Sequence, residues 1–206
     1  MYGLKMLCGR LRHILLVSLI MVGMFSILEG GLSSIAASKE ETPSELKQMY
    51  DEDQSERLAA GNNPLKGDWS LISKHDEVHR VKVLKLMREN KIQTGDDYYY
   101  SAMIMQHGAT MDDYVLAHLF SCAAAQRGKR EARWLSAASF DRLMISMDKP
   151  QYFSTQYFAN QGESYAIKNP KNTSLLTDEV RKAFDVPTLA ETDARLRTLN
   201  DESLTK

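Results

Sequence analysis

Cysteine is almost absent from this chain, which excludes a fold held by a disulfide framework. The 206 residues include two cysteines, Cys8 and Cys122, and Cys8 lies in an N-terminal segment that we expect to be removed. Cys122 lies in an alanine-rich helical pattern. A buried structural thiol is favoured over a nucleophile in such a pattern.

Signatures of common catalytic and nucleotide-binding sites are missing too. The sequence has no Gly-x-Ser-x-Gly motif, no phosphate-binding loop and no dinucleotide fingerprint. It therefore predicts neither a serine triad nor a cofactor.

Charge of one sign is not in excess, because 26 Lys and Arg are balanced by 27 Asp and Glu. Binding to nucleic acid needs clustered positive charge that neutralises phosphates. We therefore expect a small molecule or a protein as the partner, and no nucleic acid.

A complete set of metal ligands is also missing. The segment 75–79 resembles a zinc motif in which glutamate follows the first histidine, but Asp76 occupies that position and no third ligand is evident. We expect His75 and His79 to be a solvent-exposed pair and Asp76 to pair with Arg80 on the helix surface. The sequence predicts no metal site.

The N-terminus has the pattern of a targeting segment. Three basic residues precede the apolar run 14–28, and small residues follow it. A membrane-spanning helix needs roughly 20 apolar residues, so this shorter run fits a signal peptide better. We expect residues 1–37 to be a signal peptide cleaved after Ala36 or Ala37, with the domain exported to the periplasm or outside the cell. The alternative is an anchor in the cytoplasmic membrane formed by residues 14–28, with the domain outside.

The remainder, residues 38–206, predicts one all-α domain with its core over about 43–190. Hydrophobic residues make up 43% of the chain, which suits one globular domain. Helix caps, apolar spacing and glycine or proline stops are the signals. They predict helices over 42–61, 70–91, 94–107, 110–127 and 129–148, a short helix from 177, and a terminal helix over 189–206.

Short links between the central helices predict antiparallel hairpins. Alanines let these helices approach closely, and the region 117–143 resembles a Sel1-like or tetratricopeptide-type hairpin. One repeat is visible, whereas a solenoid needs roughly three or more. We expect a compact bundle of antiparallel helical hairpins, not a full solenoid, with an ordered aromatic-rich loop after Pro150.

Charges lie on two helix faces that should pack. The stripe of the first helix runs from Leu46 and Tyr50 to Asp53 and Arg57. Either this helix leaves the core near Asp53, or both charges point into a polar interior.

The second charged face belongs to Asp141 and Arg142, which follow the apolar stripes of Trp134 and Leu135. Burial of an unpaired charge costs desolvation free energy on the order of several kcal/mol, so both residues need partners. Candidates are the loop residues 151–156 or the charges of the first helix. A structural clamp and a functional site both remain open.

His107 lies in the last turn of its helix, next to Gly108. The helix dipole favours histidine there, so a capping role is one interpretation. The other is a titratable imidazole at the mouth of a loop, acting as a general base or acid.

Several short motifs occur together in this chain. They are Asp53-Gln54-x-x-Arg57, Asp76-x-x-x-Arg80, Thr94-Gly95-x-Asp97-Tyr98, Gln106-His107-Gly108, Ala132-x-Trp134-Leu135, Asp141-Arg142, Pro150-Gln151-x-Phe153-x-Thr155-Gln156, Thr177-Asp178-x-x-Arg181 and Val186-Pro187. As a set, they resemble an uncharacterised bacterial family, one of the domains of unknown function, over about residues 50–190. The resemblance implies a site without naming its reaction. Ser154 departs from the family pattern, which has glycine there and thus allows a positive φ or a close approach to the backbone.

These observations predict one polar pocket. Its residues are Asp53, Arg57, His107, Asp141, Arg142, Gln151, Thr155 and Gln156. We expect an exported helical domain that binds a small ligand or a protein partner there. The alternative is a hydrolase-like enzyme with His107 as general base and Asp141 orienting it or acting as the acid.

Cleavage of the N-terminal segment can be tested by N-terminal sequencing of the protein recovered outside the cytoplasm of a bacterial host. We expect the chain to begin at Ala37 or Ser38, because small residues suit the cleavage site. Recovery of the intact N-terminus in the membrane fraction would contradict cleavage and support the anchor.

Overall fold

The computed structural model describes residues 44–60, 68–158, 164–167 and 175–204. All of them belong to the unit that spans residues 41–206. The predicted targeting segment 1–37 lies outside the described residues. Within the described residues, no helix has the length and apolar character needed to cross a membrane.

Seven helices and one short ribbon make up the described part of the chain. The helices are α1 (Glu45–Ala60), α2 (Trp69–Arg88), α3 (Gly95–Met105), α4 (Met111–Gln126), α5 (Ala132–Ser146), α6 (Asp178–Ala183) and α7 (Leu189–Leu204). The strands β1 (Tyr157–Phe158) and β2 (Ala166–Ile167) pair antiparallel, with Tyr157 opposite Ile167. The predicted all-α fold is confirmed.

Matching capping boxes start α3 and α4. The Thr94 hydroxyl accepts from the Asp97 N–H at 3.0 Å, while the Asp97 carboxylate accepts from the Thr94 N–H at 2.9 Å. Thr110 and Asp113 repeat this exchange at the start of α4. Each box satisfies backbone donors that the first helical turn leaves free. These local bonds set where the two helices begin.

The helical hairpin predicted around α4 is confirmed, since α4 packs against α3 on one side and α5 on the other. Its buried face carries mostly small side chains, Ala117, Ser121 and Ala124, together with Phe120. The hydroxyls of Ser121 and Ser139 lie 3.4 Å apart where α4 meets α5. Small residues allow this close packing.

The packing face of α2 differs from the prediction. Val78 and Val81 have the helical spacing of an apolar stripe with Leu84 and Met87, which predicts that they are buried, but they are 51% and 62% exposed. The buried face instead includes Asp76, His79 and Val83. Apolar spacing misled here because α1 offers charged partners, which make a polar face the better one to bury.

Trp134 was also predicted to pack, but it is 41% exposed. Asp141 is nevertheless fully buried, because it lies one turn after Ala137 and Ala138, which are fully buried. Two small residues bring the neighbouring segments close enough to cover the carboxylate.

The loop after α5 binds that carboxylate through its backbone. One Asp141 oxygen accepts from the N–H groups of Tyr152 and Phe153 at 2.8 and 3.0 Å. The other accepts from the N–H and the hydroxyl of Thr155 at 2.9 and 2.8 Å. These four bonds satisfy the acceptor capacity of the carboxylate.

Arg181 of α6 holds the same loop through its carbonyl groups. Its guanidinium donates to the carbonyls of Phe153, Tyr152 and Pro187 at 2.9, 3.4 and 2.7 Å. A further bond reaches the Thr192 hydroxyl of α7 at 3.1 Å. The loop thus lies between a buried acid that accepts from its N–H groups and a buried base that donates to its carbonyls.

Gln151 closes the loop with its side-chain amide. It accepts from the Gln156 N–H at 2.9 Å and donates to the Gln156 carbonyl at 2.9 Å. The amide therefore pairs with the backbone as a neighbouring strand would. We call Asp141, the loop 151–156 and Arg181 the loop clamp.

Ser154 lies in this clamp with φ of 55°, in the left-handed region. Its side chain is buried, and its hydroxyl has no hydrogen-bond partner. Glycine adopts such a φ without a Cβ penalty, so this position of the turn favours glycine. Serine keeps the same turn at a conformational cost.

Replacing Ser154 by glycine tests this cost. Ser154→Gly should raise the free energy of unfolding by about 1 kcal/mol, because glycine adopts a positive φ without a Cβ penalty and removes the unpaired hydroxyl. Urea unfolding followed by circular dichroism measures the change. Ser55→Gly, at an exposed position inside α1, is the control and should lower stability by roughly 0.5 kcal/mol. A similar loss in both variants would contradict strain at Ser154.

Candidate functional site

The structure divides the eight predicted site residues between two networks. Asp141, Gln151, Thr155 and Gln156 belong to the loop clamp. Asp53, Arg57, His107 and Arg142 lie with charged groups of α2 and α4. The single predicted pocket is not what the contacts show, because loop peptide groups fill the acceptor sites of Asp141. The second set is the candidate site.

Arg57 of α1 joins two buried carboxylates. It donates to Asp53, one helical turn earlier, at 2.6 Å. Its other terminal nitrogen lies 2.9 Å from both oxygens of Asp76 on α2. Asp53 and Asp76 are 1% and 8% exposed, so one guanidinium bridges two carboxyl groups in the interior. Of the two readings of α1, the polar interior is the one observed.

The predicted surface pair of Asp76 and Arg80 is wrong. Asp76 turns inward to Arg57, and Arg80 donates to the carbonyl of His107 at 3.2 Å. The Arg80 Nε also lies 3.8 Å from Asp113, the residue that caps α4. Asp76 and Arg80 therefore pair with other segments and not with each other. These partners lie where the charges are less exposed to solvent than in a surface pair.

His75 and His79 do not form the predicted solvent-exposed pair. His79 is buried, and its Nε2 lies 3.2 Å from Glu52 of α1. His75 Nδ1 bonds Glu56 one turn further along α1. Both histidines therefore connect α2 to α1.

His107 follows α3 and points toward this interior. Its Nε2 is buried, lacks a hydrogen-bond partner and lies 3.9 Å from an oxygen of Asp53. Burial lowers the pKa of His107 well below its usual value, and repulsion from Arg57, Arg142 and Arg80 lowers it further. The imidazole is therefore neutral at pH 7, which weakens the interpretation that it caps the helix dipole as a cation.

The acidic group beside His107 is Asp53, not Asp141. Burial raises the pKa of Asp53 to about 6, although Arg57 opposes this shift. The pKa values of the two neighbours are thus displaced in opposite directions, upward for Asp53 and downward for His107. Neighbouring groups with pKa values displaced in opposite directions are common at functional sites.

Arg142 of α5 is the least satisfied charge in the set. Its Nε is buried and has no hydrogen-bond partner. Among the described residues, nothing forms a hydrogen bond or an ion pair with it. Burial lowers the pKa of Arg142, Arg57 adds repulsion, and Tyr114 opposes the shift. We call Asp53, Arg57, Asp76, Arg80, His107 and Arg142 the charged site.

Three members of the charged site could also hold a cation. Ligand atoms of Asp53, Asp76 and His107 lie within 4.8 Å of one another. The sequence predicted no metal ligands, since these residues belong to three separate segments. Arg57 already bonds both carboxylates, so a cation would have to displace its guanidinium.

Sequence reasoning missed Asp76 and Arg80 as parts of this site. The available signal was the repetition of an acid followed by an arginine on consecutive helices, at Asp53 and Arg57 and again at Asp76 and Arg80. Local pairing rules interpret each as a surface pair. Only packing of α1 on α2 makes one network of them.

The displaced pKa values predict opposite effects on stability. Folded Asp53 binds a proton near pH 6 while the unfolded residue waits until about 3.8, so it stabilises the fold as pH falls through 6. Unfolded His107 binds a proton near 6.5 while the folded imidazole does not, so it destabilises the fold as pH falls below 6.5. Carbon-13 NMR of both side chains should show Asp53 titrating near 6 and His107 titrating well below its usual 6.5. Titration of Asp53 below pH 4.5 would contradict this assignment.

Comparisons with known proteins identified no relative of this chain. A search with protein-family models, a search of curated proteins and a search of solved structures each found no match. The chemistry of the charged site therefore follows from its own contacts and charges.

Proposed function

We propose that this chain is a binding protein that acts outside the cytoplasm and holds a small ligand at the charged site. One observation carries the proposal. His107 Nε2 and Arg142 Nε are both buried without a hydrogen-bond partner. The two residues are neighbours, because the charge of Arg142 helps to lower the pKa of His107. Buried polar atoms in native proteins nearly always have a partner. Six lack one among the described residues, and the two that belong to the charged site point to an absent partner there.

The remaining contacts of the charged site support this interpretation. Arg57 is matched by two carboxylates, and Arg80 by a carbonyl and Asp113. Among the six residues of the charged site, His107 and Arg142 are thus the ones whose buried atoms lack a hydrogen-bond partner. The side chains of Arg57, Arg80 and His107 are 16%, 16% and 14% exposed, so the charged site is not fully sealed from solvent.

The loop clamp contributes to the proposed site by positioning. Asp141, adjacent to Arg142, is held by four hydrogen bonds from the loop. These bonds hold the turn of α5 that contains Asp141 and with it the backbone from which Arg142 projects. Rigid support of this kind keeps a binding group in place before the ligand arrives.

The resemblance to an uncharacterised bacterial family supports a shared role for these positions. Its motifs contain both acid–arginine pairs of α1 and α2, the Gln-His-Gly turn, the Asp-Arg pair and the closing loop. Each of these motifs contributes to the charged site or to the loop clamp. We infer membership of that family, and export through residues 1–37, as parts of this proposal.

An acid–base enzyme of the hydrolase type is the second candidate. The observation that favours it is the neutral imidazole of His107 beside Asp53, at 3.9 Å. A neutral imidazole can accept a proton at pH 7, and a carboxylate beside it can orient the ring. In this version Asp53 replaces Asp141, which is occupied by the loop. Turnover of a bound compound, lost in Asp53→Asn, would favour the enzyme over the binding protein.

A comparison of adjacent substitutions on α5 tests the binding proposal without knowledge of the ligand. Asp141→Asn should lower the free energy of unfolding by roughly 3 kcal/mol, because an amide cannot accept all four hydrogen bonds. Arg142→Gln should leave stability unchanged or raise it, because it removes a buried charge without a partner. Chemical unfolding of the full chain measures both.

The comparison has a control at the start of the same helix. Arg133→Gln alters charge equally at an exposed position and should change stability by less than about 0.5 kcal/mol. A loss in Arg142→Gln as large as that in Asp141→Asn would make Arg142 structural and overturn the proposed site.

A further inference from the structure

We propose that the ligand of the charged site is a small anion with a carboxylate or phosphate group, bound between Arg142 and His107. This inference rests on the proposed function and deepens it by naming the chemical class. It starts from the distribution of cations around His107. Arg57, Arg142 and Arg80, which come from three helices, all lie close enough to act on its imidazole.

Only one of these three arginines lacks a counter-charge. Arg57 bonds two carboxylates, and Arg80 lies near Asp113 and donates to a backbone carbonyl. Arg142 has neither kind of partner within the described residues. An anion would supply the acceptor that its buried Nε–H lacks. Guanidinium groups bind carboxylate and phosphate through charge-assisted hydrogen bonds, often two at once.

His107 is the second donor of the proposed anion site. Its buried Nε2 has no partner, and it can donate a hydrogen bond as the neutral Nε2–H tautomer or as the imidazolium. An anion would thus satisfy both unpaired atoms with one kind of group. A cation would satisfy only the imidazole and would leave Arg142 unpaired.

The electrostatics also favour an anion over a metal ion. Asp53, Asp76 and His107 have the spacing of a cation site, but both carboxylates are already bonded to Arg57. A divalent ion would have to displace that guanidinium and would be repelled by Arg80 and Arg142. An anion needs no such displacement.

Binding of an anion should be coupled to proton uptake. A negative charge beside His107 offsets the repulsion that lowers its pKa, so the complex should hold a proton more readily than the free protein. Asp53, which faces His107, has a further effect that favours binding at lower pH. It becomes neutral near pH 6 and then repels an anion less. The other charged or titratable groups around the site are Arg57, Asp76, Arg80, Asp113, Tyr114 and Arg142. Affinity should therefore increase as pH falls from 8 to 6.

The experiment titrates the full chain with inorganic phosphate and separately with acetate, at constant ionic strength set with sodium chloride. Nitrogen-15 NMR should show the Arg142 Nε–H and His107 ring signals moving with either probe, and the tighter probe identifies the anionic group. Arg142→Gln should weaken binding at least about tenfold, whereas Arg133→Gln should leave it unchanged. Equal weakening in both variants would mean nonspecific attraction and would overturn the proposal.

A parallel titration with zinc and manganese ions tests whether a divalent cation, and not an anion, binds at the charged site. Shifts of His107 with a divalent cation, and none with phosphate or acetate, would refute the anion and assign a metal site. Absence of binding by both anions while Arg142→Gln keeps full stability would refute the anion class alone. Destabilisation by Arg142→Gln would refute both this inference and the proposed function.

Discussion

The approach of α1 to α2 depends on one guanidinium, that of Arg57. Asp53 and Asp76 face each other across this contact with almost no exposure to water, and Arg57 is bonded to both. Without Arg57, each carboxylate would lose hydration free energy on the order of several kcal/mol by burial, and the two would repel one another. Because α1 packs on α2 through this bridge, the Gln-His-Gly turn after α3 meets a polar interior. His107 acquires its unusual surroundings from that arrangement.

The loop clamp and the charged site treat buried charge in opposite ways. In the clamp, Asp141 accepts four hydrogen bonds, and Arg181 donates to backbone carbonyls of the same loop. In the charged site, Arg142 and His107 retain buried nitrogen atoms without partners. Asp141 and Arg142 are adjacent in the chain, so one turn of α5 contributes to both networks. Hydrogen bonds to every acceptor site of a buried charge make a rigid support, whereas the charged site keeps hydrogen-bonding atoms without partners.

Sequence patterns predicted the helices well and their packing faces less well. The caps at Thr94 and Thr110 are local hydrogen-bond exchanges, which need no tertiary contact to form. The faces of α2 and α5 were assigned from apolar spacing, and that rule buries Val78 and Trp134, which the structure exposes. It could not anticipate that α2 turns a charged face toward α1. The loop that binds Asp141 was among the predicted partners. A buried charge requires a partner, and this polar loop directly follows its helix.

The sequence by itself determined the all-α class, the starts of the central helices and the residue types available for a polar site. Those properties depend on capping, periodicity and breaker residues within a few positions of one another. Only the tertiary structure decided which charges meet. Partners such as Arg57 and Asp76 are 19 residues apart, and the burial that displaces the pKa of Asp53 arises from several segments at once. Electrostatic energy depends on distance and solvent exposure in three dimensions, and no pattern of local spacing encodes either.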